Sequence, residues 1–158
     1  MPNVVFDASS IVGAALKQDS TPERALLLAR SQEAICLSPA VEAEIREVLQ
    51  RPKFRRYFPD AVRGRIFDIL GAAALMFEPV ERVTDCRDVK DNKYLELALA
   101  AGASVIVSSD NDLLVLRPLA WHSRPQTSRL HQVAPSWWLN QSRWFRTFIP
   151  TVDPRSER

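Results

Sequence analysis

Residues 87–116 read RDVKDNKYLELALAAGASVIVSSDNDLLVL. Leu95, Leu97, Ala98 and Leu99 fall at helical spacing between residues 91 and 101, and Gly102 stands where a helix closes through a left-handed residue. Residues 104–107, SVIV, then read as a buried strand, and Asp110 lies just past its end. A short helical turn is predicted over residues 112–116. A helix feeding a buried strand in this way is half of a parallel βαβ unit.

Upstream the same alternation repeats. Residues 4–6 (VVF) and 34–37 (AICL) read as buried strands, and residues 75–80 as a third. Helices are predicted from Ser10 onward and from Thr21 to about Ser31, the latter with Thr21 as N-cap and Pro22 in the first turn. Two more are predicted, one from Ser38-Pro39 to about Leu49 and one from Pro59-Asp60, with Val62, Ile66, Ile69 and Leu70 on one face. Strands alternating with helices imply a central parallel sheet joined by right-handed crossovers. The chain has four glycines and no glycine-rich phosphate loop, so no nucleotide cofactor is expected.

Composition narrows the class further. At 158 residues, 46% hydrophobic and 25% charged, the chain can bury one sizeable core. Cys36 and Cys86 form neither a disulfide ladder nor a metal spacing, which suits a reducing compartment. The start MPNVVFDASS has no basic stretch and meets an Asp after three apolar residues. No apolar run approaches ~18 residues, so neither a signal peptide nor a membrane span is expected, and a cytoplasmic location is.

Four acids stand at strand ends or helix starts. They are Asp7 in VVFDASS, Glu44 in SPAVEAEIREVL, Asp91 in RDVKDNKYLELALA and Asp110 in SVIVSSDNDLL. In an open parallel sheet the carboxyl ends of the strands form the ligand crevice. Carboxylates gathered there repel one another, and a hard divalent cation is the natural reason to keep them together. Taken singly, Glu44 also suits a solvated helix face, Asp91 a helix start and Asp110 a turn. Asp7 is the hardest to read as structural alone. Glu44 borders the apolar stripe of Val41, Ile45, Val48 and Leu49, whereas Glu42 and Glu47 lie further round toward solvent.

No His occurs within residues 1–120, which argues against imidazole acid–base cleavage. Arg51, Lys53, Arg55 and Arg56, interleaved with Phe54 and Tyr57, form the main basic cluster of that segment. Two readings fit it: a solvated helix end over core aromatics, or a contact for phosphates with a ring for base stacking. Lys90 and Lys93, flanking Asp91, either steer a phosphate or balance charge.

The order and spacing of the acids resemble those of the PIN-domain family, and within it the bacterial VapC-like toxins. The likeness runs from Val4 to about Leu116. VVFDASSIVGAAL is similar to the family's first strand, acid and helix, SPAVEAEIREVLQRPKF to its serine-to-glutamate helix, and residues 87–116 to its most specific block. Ala8 stands where Thr is common and Val89 where Pro is common. The resemblance implies a three-layer α/β/α fold around a central parallel sheet. It implies a ribonuclease that uses Mg²⁺ or Mn²⁺, is held in check by a cognate antitoxin and pairs as a homodimer. The metal-binding and catalytic acids would be Asp7, Glu44, Asp91 and Asp110, with Ser9 and Asp112 as orienting groups. Lys53 and Arg55 join them as candidate RNA contacts. On the same fold, the alternatives are a housekeeping RNA-processing nuclease and a catalytically impaired RNA- or protein-binding module.

Residues 1–120 form the nuclease-like unit, and residues 121–158 read differently. All four Trp, both His and six Arg fall in this tail against Asp153 and Glu157, and its first part shows no helix or sheet periodicity. Codons allowed for Trp121 to Gln132, read one base later, give Gly-Ile-Pro-Val-Leu-Lys-Pro-Ala-Ala-Phe-Ile, close to the family's usual ending. A frameshift just before Trp121 is one reading. A partner- or RNA-binding extension is another. A lost last strand would leave the edge of the 104–107 strand bare. Sequencing the gene across codons 115–125, with the protein's mass, separates these readings.

Overall fold

A computed structural model of the chain describes residues 3–16, 19–32, 34–54, 56–114 and 132–135. Strands β1 (Asn3–Phe6), β2 (Ala34–Leu37), β3 (Ala74–Met76), β4 (Val105–Ser108) and β5 (Gln132–Pro135) form one parallel sheet in the order β3-β2-β1-β4-β5. Around it lie helices α1 (Ala8–Leu16), α2 (Thr21–Gln32), α3 (Pro39–Gln50), α4 (Asp60–Ala73), α5 (Asn92–Ala101) and the single turn α6 (Asn111–Leu114). Connections through α1–α4 step one way along the sheet and the connection through α5 steps back the other way. Right-handed crossovers therefore put them on opposite faces, giving three α/β/α layers.

The strands are short apolar runs because both faces are covered. Val4, Val5, Phe6, Ile35, Cys36, Leu37, Val105, Ile106 and Val107 are all buried. Ile11, Leu26, Ile45, Leu49 and Ile66 are buried with them from the first group of helices, and Leu95 and Leu97 from α5. Val5 pairs with Cys36 on one side and Ile106 on the other, so β1 is central. The chain leaves β1 toward β2 and returns to its other side through β4. That reversal is the topological switch point, where the carboxyl ends of an open α/β sheet leave a crevice.

Several boundaries differ from the sequence expectation for identifiable reasons. Helix α1 begins at Ala8 rather than Ser10, because the Asp7 carboxylate accepts the Ser10 N–H at 2.7 Å and caps the helix. Ser20, not Thr21, caps α2: its hydroxyl accepts the Glu23 N–H at 3.3 Å. Strand β3 ends at Met76, where residues 75–80 were expected to be extended. Phe77 still donates its N–H to Leu37 at 2.8 Å, but Pro79 has no N–H to continue the ladder. Gly102 closes α5 as expected, at φ 56°, with its own N–H and that of Ala103 bonded back to Leu99 and Ala98.

Gln132–Pro135 pairs parallel to β4, from Val105 opposite Gln132 to Ser108 opposite Pro135, so that edge of β4 is not bare. The register is that of a backbone ladder, which needs no side-chain periodicity to form. The remainder of residues 115–158 lies outside the described residues. Among the described residues, no helix is long and apolar enough to cross a membrane.

Candidate active site

A cavity of about 330 Å³ opens at the switch point, and Asp7, Glu44, Asp91 and Asp110 all line it. They arrive from different elements. Asp7 follows β1, Glu44 lies in the middle of α3, Asp91 ends a 3₁₀ turn (Val89–Asp91) just before α5, and Asp110 follows β4.

Asp7 is 3% exposed, and three donors hold its two oxygens. The Ser9 hydroxyl donates to Oδ2 at 2.7 Å, the Ser10 N–H to Oδ1 at 2.7 Å, and the Ser108 hydroxyl to Oδ2. Burying a carboxylate costs heavily unless its lone pairs are matched, and here they are. Ser9 also shares a hydrogen bond with Ser109 at 2.8 Å, joining the start of α1 to the turn after β4.

Glu44 faces the cavity, whereas its acidic helix neighbours are paired locally. Glu42 pairs with Arg46 at 2.7 Å and Glu47 with Arg51 at 3.1 Å, each four positions further along the chain. Glu44 instead takes Lys93 Nζ at 2.8 Å and the Tyr94 hydroxyl, both from α5. Asp91 sits at the start of α5 yet makes no capping bond. Asp88 caps the preceding turn, accepting the Lys90 N–H at 2.9 Å. Asp91 is thus left to the cavity. Burial, and then repulsion from Asp110, Asp88, Glu44 and Asp7, pushes its carboxyl up to about 6.

Asp110 is fixed through its backbone, its N–H donating to the Ser108 hydroxyl at 2.9 Å. Its carboxylate accepts the Asp112 N–H at 2.7 Å, a local turn bond that starts α6. Asp112 does not line the cavity; its own carboxylate pairs with Arg87 at 2.5 Å. Ser9 does line it. From the basic cluster, Arg51 and Phe54 reach the cavity, whereas Lys53 lies over the Phe54 ring at 4.9 Å and does not line the cavity. Arg55 lies outside the described residues.

Sequence reasoning passed over two groups. Ser108 binds both Asp7 and the Asp110 backbone, and its place two residues before Asp110 was the available clue. Tyr94 lines the cavity one helical turn after Asp91, but it stands in an apolar run and reads as an ordinary core aromatic.

Among the described residues, no group of three or more His, Cys, Asp or Glu is close enough to hold a metal ion as it stands. The four acids instead surround an open space large enough for several waters at about 30 Å³ each. The donors facing it are carboxylates and hydroxyls, with neither imidazole nor thiolate. Such a set fits a hard cation that keeps part of its water shell.

Comparison with known proteins places the chain in a family. The chain is 30% identical over 118 residues to an uncharacterised protein, MJ1680, of Methanocaldococcus jannaschii, covering 72% of this chain and 74% of that one. Its fold is similar to the crystal structure of VapBC2 from Rickettsia felis bound to a DNA fragment from their promoter. There the TM-score is 0.51 at 13% identity, over 84% of this chain and 98% of the matched one. The sequence model described as PIN domain matches residues 3–112, a span that holds all four acids of the cavity. The chain belongs to the PIN-domain family.

Proposed function

We propose that this chain is a metal-dependent endoribonuclease and the toxin of a toxin–antitoxin pair. PIN domains are in general nucleases, so hydrolysis of nucleic acid is the activity of the family. One observation carries the finer reading. Four acids from four separate elements face a single cavity at the switch point of the sheet, and the most buried of them, Asp7, is held by three donors.

Asp7, Asp91, Asp110 and Glu44 would hold Mg²⁺ or Mn²⁺, directly or through water. When bound, such ions supply an activated water and offset charge on the phosphoryl and leaving oxygens. The chain's own groups do the rest. Ser9 and Ser108 keep Asp7 aimed, and the Asp110 backbone is fixed by the same Ser108 hydroxyl. Arg51, on the cavity wall, draws in a phosphate, and Phe54 beside it offers a ring to a base. Lys53 and Arg55, in the same basic segment, extend that contact along the strand. Asp112, paired with Arg87, orients the turn that carries Asp110.

The likeness to a VapBC assembly supports an antitoxin as the partner. In the same reading two copies of the chain pair as a toxin homodimer. The test is to offer single-stranded RNA, structured RNA and DNA with Mg²⁺, with Mn²⁺ and with chelator. Cutting of RNA that needs metal and is suppressed by the neighbouring gene's product is expected. Cutting of DNA alone would overturn the substrate, and cutting in chelator would overturn the chemistry.

A further inference from the structure

We propose that Tyr94 is a positioning residue for Glu44, a hydroxyl latch that sets where this acid stands in the cavity. The inference rests on the metal-dependent nuclease reading and names a group to which that reading gives no role. Glu44 is the only one of the four acids that lies in mid-helix; the others sit at strand or helix ends. A flexible glutamate in mid-helix has three side-chain torsions to fix, and no residue of α3 fixes them. Both partners of Glu44 come from α5: the Lys93 ammonium at 2.8 Å and the Tyr94 hydroxyl.

The two partners differ in kind. The Lys93–Glu44 pair is partly open to solvent, with side chains 23% and 26% exposed, and supplies charge through a flexible stem. Tyr94 is 2% exposed, and its ring is locked in the core. Its hydroxyl accepts the Ala8 N–H at 3.0 Å, so its single proton is committed to Glu44 Oε2. Ala8 is the residue after Asp7 and opens α1, where its N–H has no partner within the helix. One oxygen thereby ties the start of α1, the middle of α3 and the first turn of α5, three of the elements that bring acids to the cavity. Both bonds to Glu44 fall on Oε2, and among the described residues Oε1 has no donor and is left for the cavity.

The experiment is a double-mutant cycle of Tyr94→Phe and Glu44→Gln, read by Mn²⁺ affinity, by kcat and KM on RNA, and by thermal unfolding. Tyr94→Phe keeps the ring and removes only the hydroxyl. Losing a group that orients a ligand costs about 10–100-fold in metal affinity or activity. A loss in that range is expected in Mn²⁺ affinity and kcat, with KM little changed. In the Glu44→Gln background, Tyr94→Phe should add little. Equal losses in both backgrounds, or a change in melting temperature alone, would show a structural role and overturn the proposal. If Tyr94→Phe does not fold, Glu44→Asp serves, because it withdraws the acid while Tyr94 keeps its bond to Ala8. Wild-type Mn²⁺ affinity and kcat in that variant would overturn the proposal. A wild-type protein that neither binds Mn²⁺ nor cuts RNA overturns the nuclease reading together with the latch. One that does both, with a Tyr94→Phe variant identical to it, overturns the latch alone.

Discussion

The hydroxyl of Ser108, the last residue of β4, donates to Oδ2 of Asp7, the first residue past β1. The same hydroxyl accepts the backbone N–H of Asp110 at 2.9 Å. One buried oxygen thus sets the spacing of two acids that lie 103 positions apart in sequence, across the central strand pair β1–β4.

Ser108→Ala removes both bonds and leaves Asp7 and the Asp110 N–H each short of a partner. Loss of a partner to a buried polar group costs about 1–3 kcal/mol. Urea unfolding should show a loss in that range, with metal-dependent cleavage falling alongside it. Ser109→Ala, on a more exposed hydroxyl, should cost less. Equal stabilities for the two variants would deny Ser108 its role.

Asp91 links stability to pH. Its folded-state carboxyl is raised to about 6 from an ordinary 3.8. The group therefore contributes stability that is fully present below that ordinary value and lost as pH rises through about 6. Metal acts in the opposite sense, because it needs the ionised carboxylate. The rise in melting temperature caused by Mn²⁺ should be small at about pH 5 and larger at about pH 7. An equal rise at both values would separate Asp91 from the metal.

Gly102→Ala tests the closing of α5, the helix that carries Asp91 at its start and Tyr94 in its first turn. At φ 56° a Cβ is strained, and the cost is about 1–2 kcal/mol. The change lies at the far end of α5 from the cavity. Unfolding should therefore come earlier, while kcat per folded molecule is kept.

Much of this architecture is legible in the sequence because local chemistry and fold agree. VVF, AICL and SVIV are apolar on both faces, as a covered parallel strand requires, and Pro22, Pro39 and Gly102 mark helix ends. Asp7 and Asp110 announce themselves by ending such strands. What stays hidden depends on tertiary contacts. Tyr94 is indistinguishable from a core aromatic until α3 brings Glu44 to it. The pairing of Asp112 with Arg87 is likewise invisible in the sequence. The pairing of Gln132–Pro135 with β4 is a backbone ladder in a segment whose sequence shows no periodic pattern. Glu44 is an intermediate case. Its position beside the apolar stripe of α3 separated it from Glu42 and Glu47, but its partners did not show.

The measurement that bears most directly on the four-acid site is RNA cleavage by the wild-type chain and by Asp7→Asn, each with Mn²⁺ and with chelator. Asparagine nearly preserves the shape that Ser9, Ser10 and Ser108 surround, and removes the charge. The expected result is metal-dependent cutting by the wild type and none by a folded Asp7→Asn. Undiminished cutting by Asp7→Asn, or cutting by either protein in chelator, would contradict it.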